Sequence, residues 1–160
     1  MENKVYVYKC NKYDETLIEK AYQEILVKPG LLDFVKEGMK IGIKVNLVGN
    51  FNPDKAATTH PLLVKVLCKL LIEKGAIVTI GDSPGGLFTE GILRSAYKGA
   101  GLSICEEVGA KLNYNVSTSK IKVDKQVVKI LDVSNWLLEQ DVLINYSKLK
   151  SHGMMALSAS

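Results

Sequence analysis

Two spacings of apolar residues alternate along this chain. Leu17, Ile18, Ala21, Tyr22, Ile25 and Leu26 recur at helical intervals behind Asp14, a good N-cap, until Lys28-Pro29-Gly30 stops them. A second and clearer stripe runs from Pro61 to Lys74, with Leu62, Leu63, Val66, Leu67, Leu70 and Leu71 on one side and Lys65, Lys69 and Glu73 on the other. Gly75 ends it. Period-two alternation marks the strands: Lys4 to Lys9, and Ile41 to Val48, where Ile41, Ile43, Val45 and Leu47 face one way and Lys44 and Asn46 the other. A short helical piece over Leu31 to Val35 leads into that second strand.

Ala76 to Ile80 follows the Pro61 helix at once as a short apolar strand. Strand, helix, tight turn and strand make a βαβ unit, with parallel strands and a right-handed crossover. The spacing then predicts helix over Thr89 to Ala100 and again over Leu102 to Val108. Lys111 to Val133 differs, because β-branched residues alternate with lysines as in an antiparallel excursion with one wet face. A short helix around Trp136 precedes a buried strand, Asp141 to Asn145, and Gly153 is expected to turn the chain into a helix from Met154 onward. The fold expected is one α/β domain over residues 1–160: a mainly parallel open sheet, helices on both faces, and a small antiparallel excursion around 111–133.

At 160 residues, 47% hydrophobic and 24% charged, the chain is long enough for one domain with a real core. Its net charge of +4 is spread over many faces rather than gathered in a basic block with aromatics, so the sequence gives no support to nucleic-acid binding. No apolar run approaches the roughly 20 residues of a membrane span, and the N-terminus lacks a secretory apolar segment. A cytoplasmic address without a membrane partner is the expectation. Cys10, Cys68 and Cys105 are odd in number and far apart, and read as structural.

Candidate chemistry gathers where three expected strands end in unusual loops: Val48 before Thr58-Thr59-His60-Pro61, Ile80 before Gly81-Asp82-Ser83-Pro84-Gly85-Gly86, and Asn145 before Tyr146-Ser147-Lys148-Leu149-Lys150-Ser151-His152. Open parallel sheets bind ligands at the carboxyl ends of their strands. Lys44, Lys148 and Lys150 supply charge for a carboxylate or phosphate, and Asn46, Thr59, Ser83, Asn145 and the backbone at Gly85 and Gly86 supply hydrogen bonds. His60, beside a helix N-terminus, tends to stay neutral and suits proton transfer or metal binding. His152 offers the same chemistry, and Asp82 either binds a ligand or holds its own turn. Against each stands a plain alternative: a lysine at a sheet edge reaching water, a histidine that only caps a helix, a glycine-rich loop that is only a turn.

Lys44-Val45-Asn46, Thr58 to Pro61, Gly81 to Gly86 and Asn145 to Met155, in this order and spacing, resemble the domain-of-unknown-function 362 family, whose members are often named as iron-sulfur cluster-binding proteins. Val45 replaces a proline common in that family. Members usually continue beyond the segment at Met154 and Met155, and some carry a ferredoxin-like cysteine cluster; neither feature is in this sequence. The resemblance therefore implies an iron-sulfur or redox setting for a longer protein, with no cofactor assignable to this chain, since a [4Fe-4S] cluster commonly takes four thiolates. The leading expectation is a domain that binds an anionic small molecule, with Lys44, His60 and His152 as its catalytic candidates. The alternatives are a scaffold docking an acidic, ferredoxin-like partner and a metal-dependent enzyme using His60 and His152. The chain is further expected to be truncated within a helix at its C-terminus, and then either to cover Met154, Met155 and Leu157 by self-association or to leave that tail mobile.

Overall fold

The computed structural model describes residues 4–84, 86–124, 127–152 and 156–158. Asp14 opens α1 (Glu15–Tyr22) by accepting the Leu17 N–H on its carboxylate at 3.0 Å, which satisfies a donor that a helix start leaves open. The helix runs on as a π-helical turn, Gln23–Val27. After β1 (Lys40–Lys44), a loop leads to α2 (Pro61–Glu73) and the chain returns as β2 (Ile77–Gly81), parallel to β1. α3 (Glu90–Ala100) and a 3-10 segment, Leu102–Val108, carry it to β3 (Lys111–Leu112). A hairpin of β4 (Thr118–Lys122) and β5 (Ile130–Ser134) then leaves the sheet. The single turn α4 (Asn135–Leu138) brings the chain to β6 (Val142–Asn145), and β7 (Lys150–His152) pairs antiparallel with β8 (Ala156–Ser158).

The main sheet has the order β3-β2-β1-β6 and is parallel throughout. Ile41 and Ile43 lie opposite Val78 and Ile80 on one side and Val142 and Ile144 on the other, so the period of two turns all six to one face. That face packs with Ile18 and Tyr22 of α1, Val64, Leu67 and Leu71 of α2, and Leu93, Ala96 and Tyr97 of α3 in one core. The opposite face carries Gly42, Lys44, Thr79, Gly81, Leu143 and Asn145, and its cover is thin. The Trp136 ring lies across Gly42 and Gly81, where an added Cβ would come within 3.2 Å and 2.6 Å of it.

Several expectations fail, each where the local pattern leaves tertiary context out. Residues 4–9 alternate as a strand should but pair with none of the described strands, and Val5 and Val7 are exposed. Leu31 to Val35 forms turns rather than a helix. Lys111 and Leu112 join the parallel sheet beside β2, so the antiparallel excursion is confined to 118–134. β6 is an edge strand with Leu143 exposed, not a buried one. The helix expected from Met154 is contradicted over Ala156–Ser158, which is strand; Ala156 has φ 61°, outside any right-handed helix. Gly153, Met154 and Met155 lie outside the described residues.

Because the Trp136 ring occupies the space above Gly81, Gly81→Ala is expected to destabilise the fold by about 1–3 kcal/mol through overpacking. Urea denaturation of the variant measures this, and pairing it with Trp136→Ala should remove much of the penalty.

Candidate functional site

Lys44 is the residue opposite both Gly81 and Asn145, so β1, β2 and β6 end level at the carboxyl edge. Beyond that level the backbone of β1 finds new acceptors. Val45 N–H donates to the Gly81 carbonyl at 3.1 Å, Asn46 N–H to the Thr59 hydroxyl at 2.9 Å, and Leu47 N–H to the Asp82 carboxylate at 2.7 Å. The Gly81 carbonyl is the last that β2 offers; from Asn46 on, the Thr59 and Asp82 side chains replace a neighbouring strand, which is why the ladder does not run on to Val48.

Thr59 and Asn46 tie the three exits together. The Thr59 hydroxyl, accepting from Asn46, donates to the Tyr146 carbonyl at 3.0 Å. Asn46 Oδ1 accepts the Lys148 N–H, and Tyr146 N–H donates to the Lys44 carbonyl at 2.7 Å. Below them the Tyr22 and Tyr146 hydroxyls are in contact. Tyr22 spends its proton on the Leu63 carbonyl at 3.1 Å, so Tyr146 is the donor of the pair. Burial pushes the Tyr146 phenol up to about 12, and both phenols stay neutral.

Asp82 is buried, and besides accepting from Leu47 it stands 3.2 Å from Lys44 Nζ. Its carboxylate therefore holds the exit of β1 and matches the Lys44 charge. His60 caps α2, with Nδ1 accepting the Leu62 N–H at 3.3 Å; an accepting Nδ1 puts the neutral ring's proton on Nε2. Tyr13 stacks on this imidazole, ring centroids 3.6 Å apart and planes within 2°. Lys148 Nζ donates to the Tyr13 hydroxyl at 3.1 Å. Burial lowers the His60 pKa, the Lys148 charge lowers it further, and Asp54 opposes them.

The remaining candidates are placed less tightly. Asn145 is exposed beside Lys44 on the thinly covered face, Ser83 and Gly86 are exposed, and Gly85 lies outside the described residues. Lys150 is half-buried and His152 exposed, both on β7 beyond the tethered Lys148. The sequence reading missed Tyr13, Tyr22 and Tyr146. Tyr146 carried a usable signal, its position directly after a strand end; Tyr13, one residue before a helix cap, carried none.

The cysteines do not fit an iron-sulfur cluster. Cys10 is exposed while Cys68 and Cys105 are buried, and three thiols fall short of the four that a [4Fe-4S] cluster commonly takes. Among the described residues no three His, Cys, Asp or Glu side chains are grouped to hold a metal ion.

Residues 41–160, well over half of the chain, match the model described as a domain of unknown function, DUF362, and the chain belongs to that family. The thylakoid-associated protein sll1697 of Synechocystis sp. is 26% identical over 129 residues, which are 81% of this chain and 39% of the relative. The chain thus spans well under half of that relative's length. No solved structure matches it.

Thr59→Val keeps the shape of the side chain but strands the Asn46 N–H and the Tyr146 carbonyl, a loss of about 1–3 kcal/mol for buried unpaired groups. Urea denaturation, with amide exchange at Asn46 as the local readout, checks it. For His60 the ring should titrate below its ordinary 6.5, since burial and Lys148 lower it. The unfolded chain then takes up the proton first, so stability is full above pH 6.5 and falls from there down to the folded pKa. NMR of the His60 ring protons follows this, and Lys148→Gln should move the midpoint upward.

Proposed function

We propose that the carboxyl edge of this sheet binds a small anionic molecule, and that the chain is the ligand-binding α/β part of a redox protein working with an iron-sulfur electron-transfer module. One observation carries the first half: the Lys148 ammonium is met by the Tyr13 phenol, whereas Lys44 is met by the Asp82 carboxylate. A charge answered by a neutral hydroxyl is the one a carboxylate or phosphate neutralises most readily. Lys150 adds positive potential two residues on, and the Nε2–H of His60 is a donor and proton carrier beside it. Lys44 and Asn46 position the loops, and Asn145, Ser83 and the backbone at Gly86 are further contacts at the rim. The redox half rests on the family resemblance alone.

No helix among the described residues is long and apolar enough to cross a membrane. We propose the cytoplasm as its working location; the relative is named as thylakoid-associated. A second reading, docking of an acidic ferredoxin-like partner, is favoured by Leu149, 71% exposed between Lys148 and Lys150; an apolar residue between cations suits a protein surface.

Titration of inorganic phosphate into isotope-labelled protein distinguishes the readings. For a shaped anion site, His60 and Leu62 resonances shift, Lys148→Gln weakens binding at least tenfold, and Lys148→Arg does not restore it. Binding that survives Lys148→Gln, or that Lys148→Arg retains with a steep loss in salt, overturns the anion site in favour of charge docking.

A further inference from the structure

Tyr13 has an unusual double role at this site. Its ring lies flat on His60, within 2° of parallel, and its hydroxyl accepts from Lys148, whose ammonium sits 5.8 Å from the ring centroid. Yet Tyr13 belongs to an irregular N-terminal stretch and precedes Ile41, where the family match begins, whereas His60 and Lys148 lie within the match. The same ring also lines a cavity of about 380 Å³ with Cys10, Asn11, Lys12 and Leu63, a volume in the range of small-molecule pockets.

We infer that Tyr13 is a built-in stand-in for the ligand, its ring filling a slot between His60 and Lys148 that the true ligand, an aryl carboxylate, takes over when Tyr13 swings aside. This rests on the anion-binding reading above and adds the ligand class and the gate.

The chemistry of the slot sets the class. One wall is the flat face of a neutral imidazole, which an aromatic ring covers by stacking as Tyr13 does. The far end is an ammonium that here meets a neutral oxygen. A carboxylate on the ligand ring replaces that oxygen with a charged acceptor, and charge-assisted bonds of this kind are about twice as strong as neutral ones. A ligand with a ring but no charge gains nothing over Tyr13, and a ligand with charge but no ring leaves the imidazole face bare.

Displacement asks little of the fold. Tyr13 is 49% exposed, and the next residue, Asp14, keeps its own bond to Leu17 as the cap of α1. Rotation of one side chain into the adjoining cavity uncovers the slot while the backbone stays in place. Tethered this way, the phenol competes at a high effective concentration, so the ligand's affinity for the native chain is reduced by whatever fraction of time the slot is closed.

The test compares benzoate with acetate, the same carboxylate without a ring, on the whole chain and on two variants. Tyr13→Ala opens the slot and is expected to bind benzoate at least tenfold more tightly than the native chain and more tightly than it binds acetate, with ring-current shifts at the His60 ring protons. Tyr13→Phe keeps the stack but frees Lys148, and should raise benzoate affinity by less; it decides the matter if the alanine variant fails to fold. Unchanged benzoate affinity in the variants, or equal binding of benzoate and acetate by Tyr13→Ala, overturns the inference. If phosphate still binds through Lys148 in those cases, the anion site stands without the gate; silence toward every anion removes both.

Discussion

The carboxyl edge depends on one matter of register, the placement of Lys44 opposite both Gly81 and Asn145. A parallel ladder that stops at the same level in three strands leaves three runs of backbone leaving the sheet side by side, and every buried N–H and carbonyl among them needs a partner. Polar side chains of the loops are among those partners. Thr59 joins the exits of β1 and β6, Asp82 joins β2 to β1, and Asn46 holds the loop after β6. A slip of one residue in β1 would move Ile41 and Ile43 to the thin face and Lys44 into the core, so the same register fixes the core and the site together.

The two faces of the sheet explain where the site opens. Parallel sheets are normally covered on both faces, and here α1, α2 and α3 pack on one while, among the described residues, Trp136 and Gln140 lie over Gly42 and the Trp136 ring over Gly81 on the other, where Leu143 and Asn145 stay exposed. Lys44 and Asn145 belong to that second face by their parity in the strands. Their position at its carboxyl end gives them access to solvent, and Asp82 then prevents the Lys44 charge from being left unpaired there.

How far the sequence disclosed this follows from how local each signal was. The Pro61 to Glu73 helix and the β1 to β2 crossover were legible because a 13-residue amphipathic stripe and a tight turn need no distant partner to be recognised. The convergence of Lys44, His60, Asp82 and Lys148 on one sheet edge was legible too, because parallel topology sends successive strand ends to the same side. Which of them meet was not. The pairing of Lys44 with Asp82 and the stack of Tyr13 on His60 depend on side chains 38 and 47 positions apart in number, roughly a whole βαβ unit. Residues 4–9 failed in the opposite sense: their alternation was clear, but a strand without a ladder is not a strand.

The distinction between the two lysines has a physical basis that spacing alone does not provide. An anion approaching Lys44 must compete with Asp82, and drawing the ammonium away would leave a buried carboxylate unpaired, a penalty of about 3–5 kcal/mol for a fully buried pair and less here because Lys44 is partly exposed. An anion approaching Lys148 displaces only a neutral phenol, whose hydroxyl then turns to water at a net exchange of about 0.5–1.5 kcal/mol. The imidazole beside it, kept neutral by burial and by Lys148 itself, adds no second positive charge but does add a donor at Nε2. The geometry thus separates a lysine whose ammonium meets a buried carboxylate from one whose ammonium meets a neutral phenol, a difference that the sequence pattern of Lys44-Val45-Asn46 and Asn145-Tyr146-Ser147-Lys148 does not show.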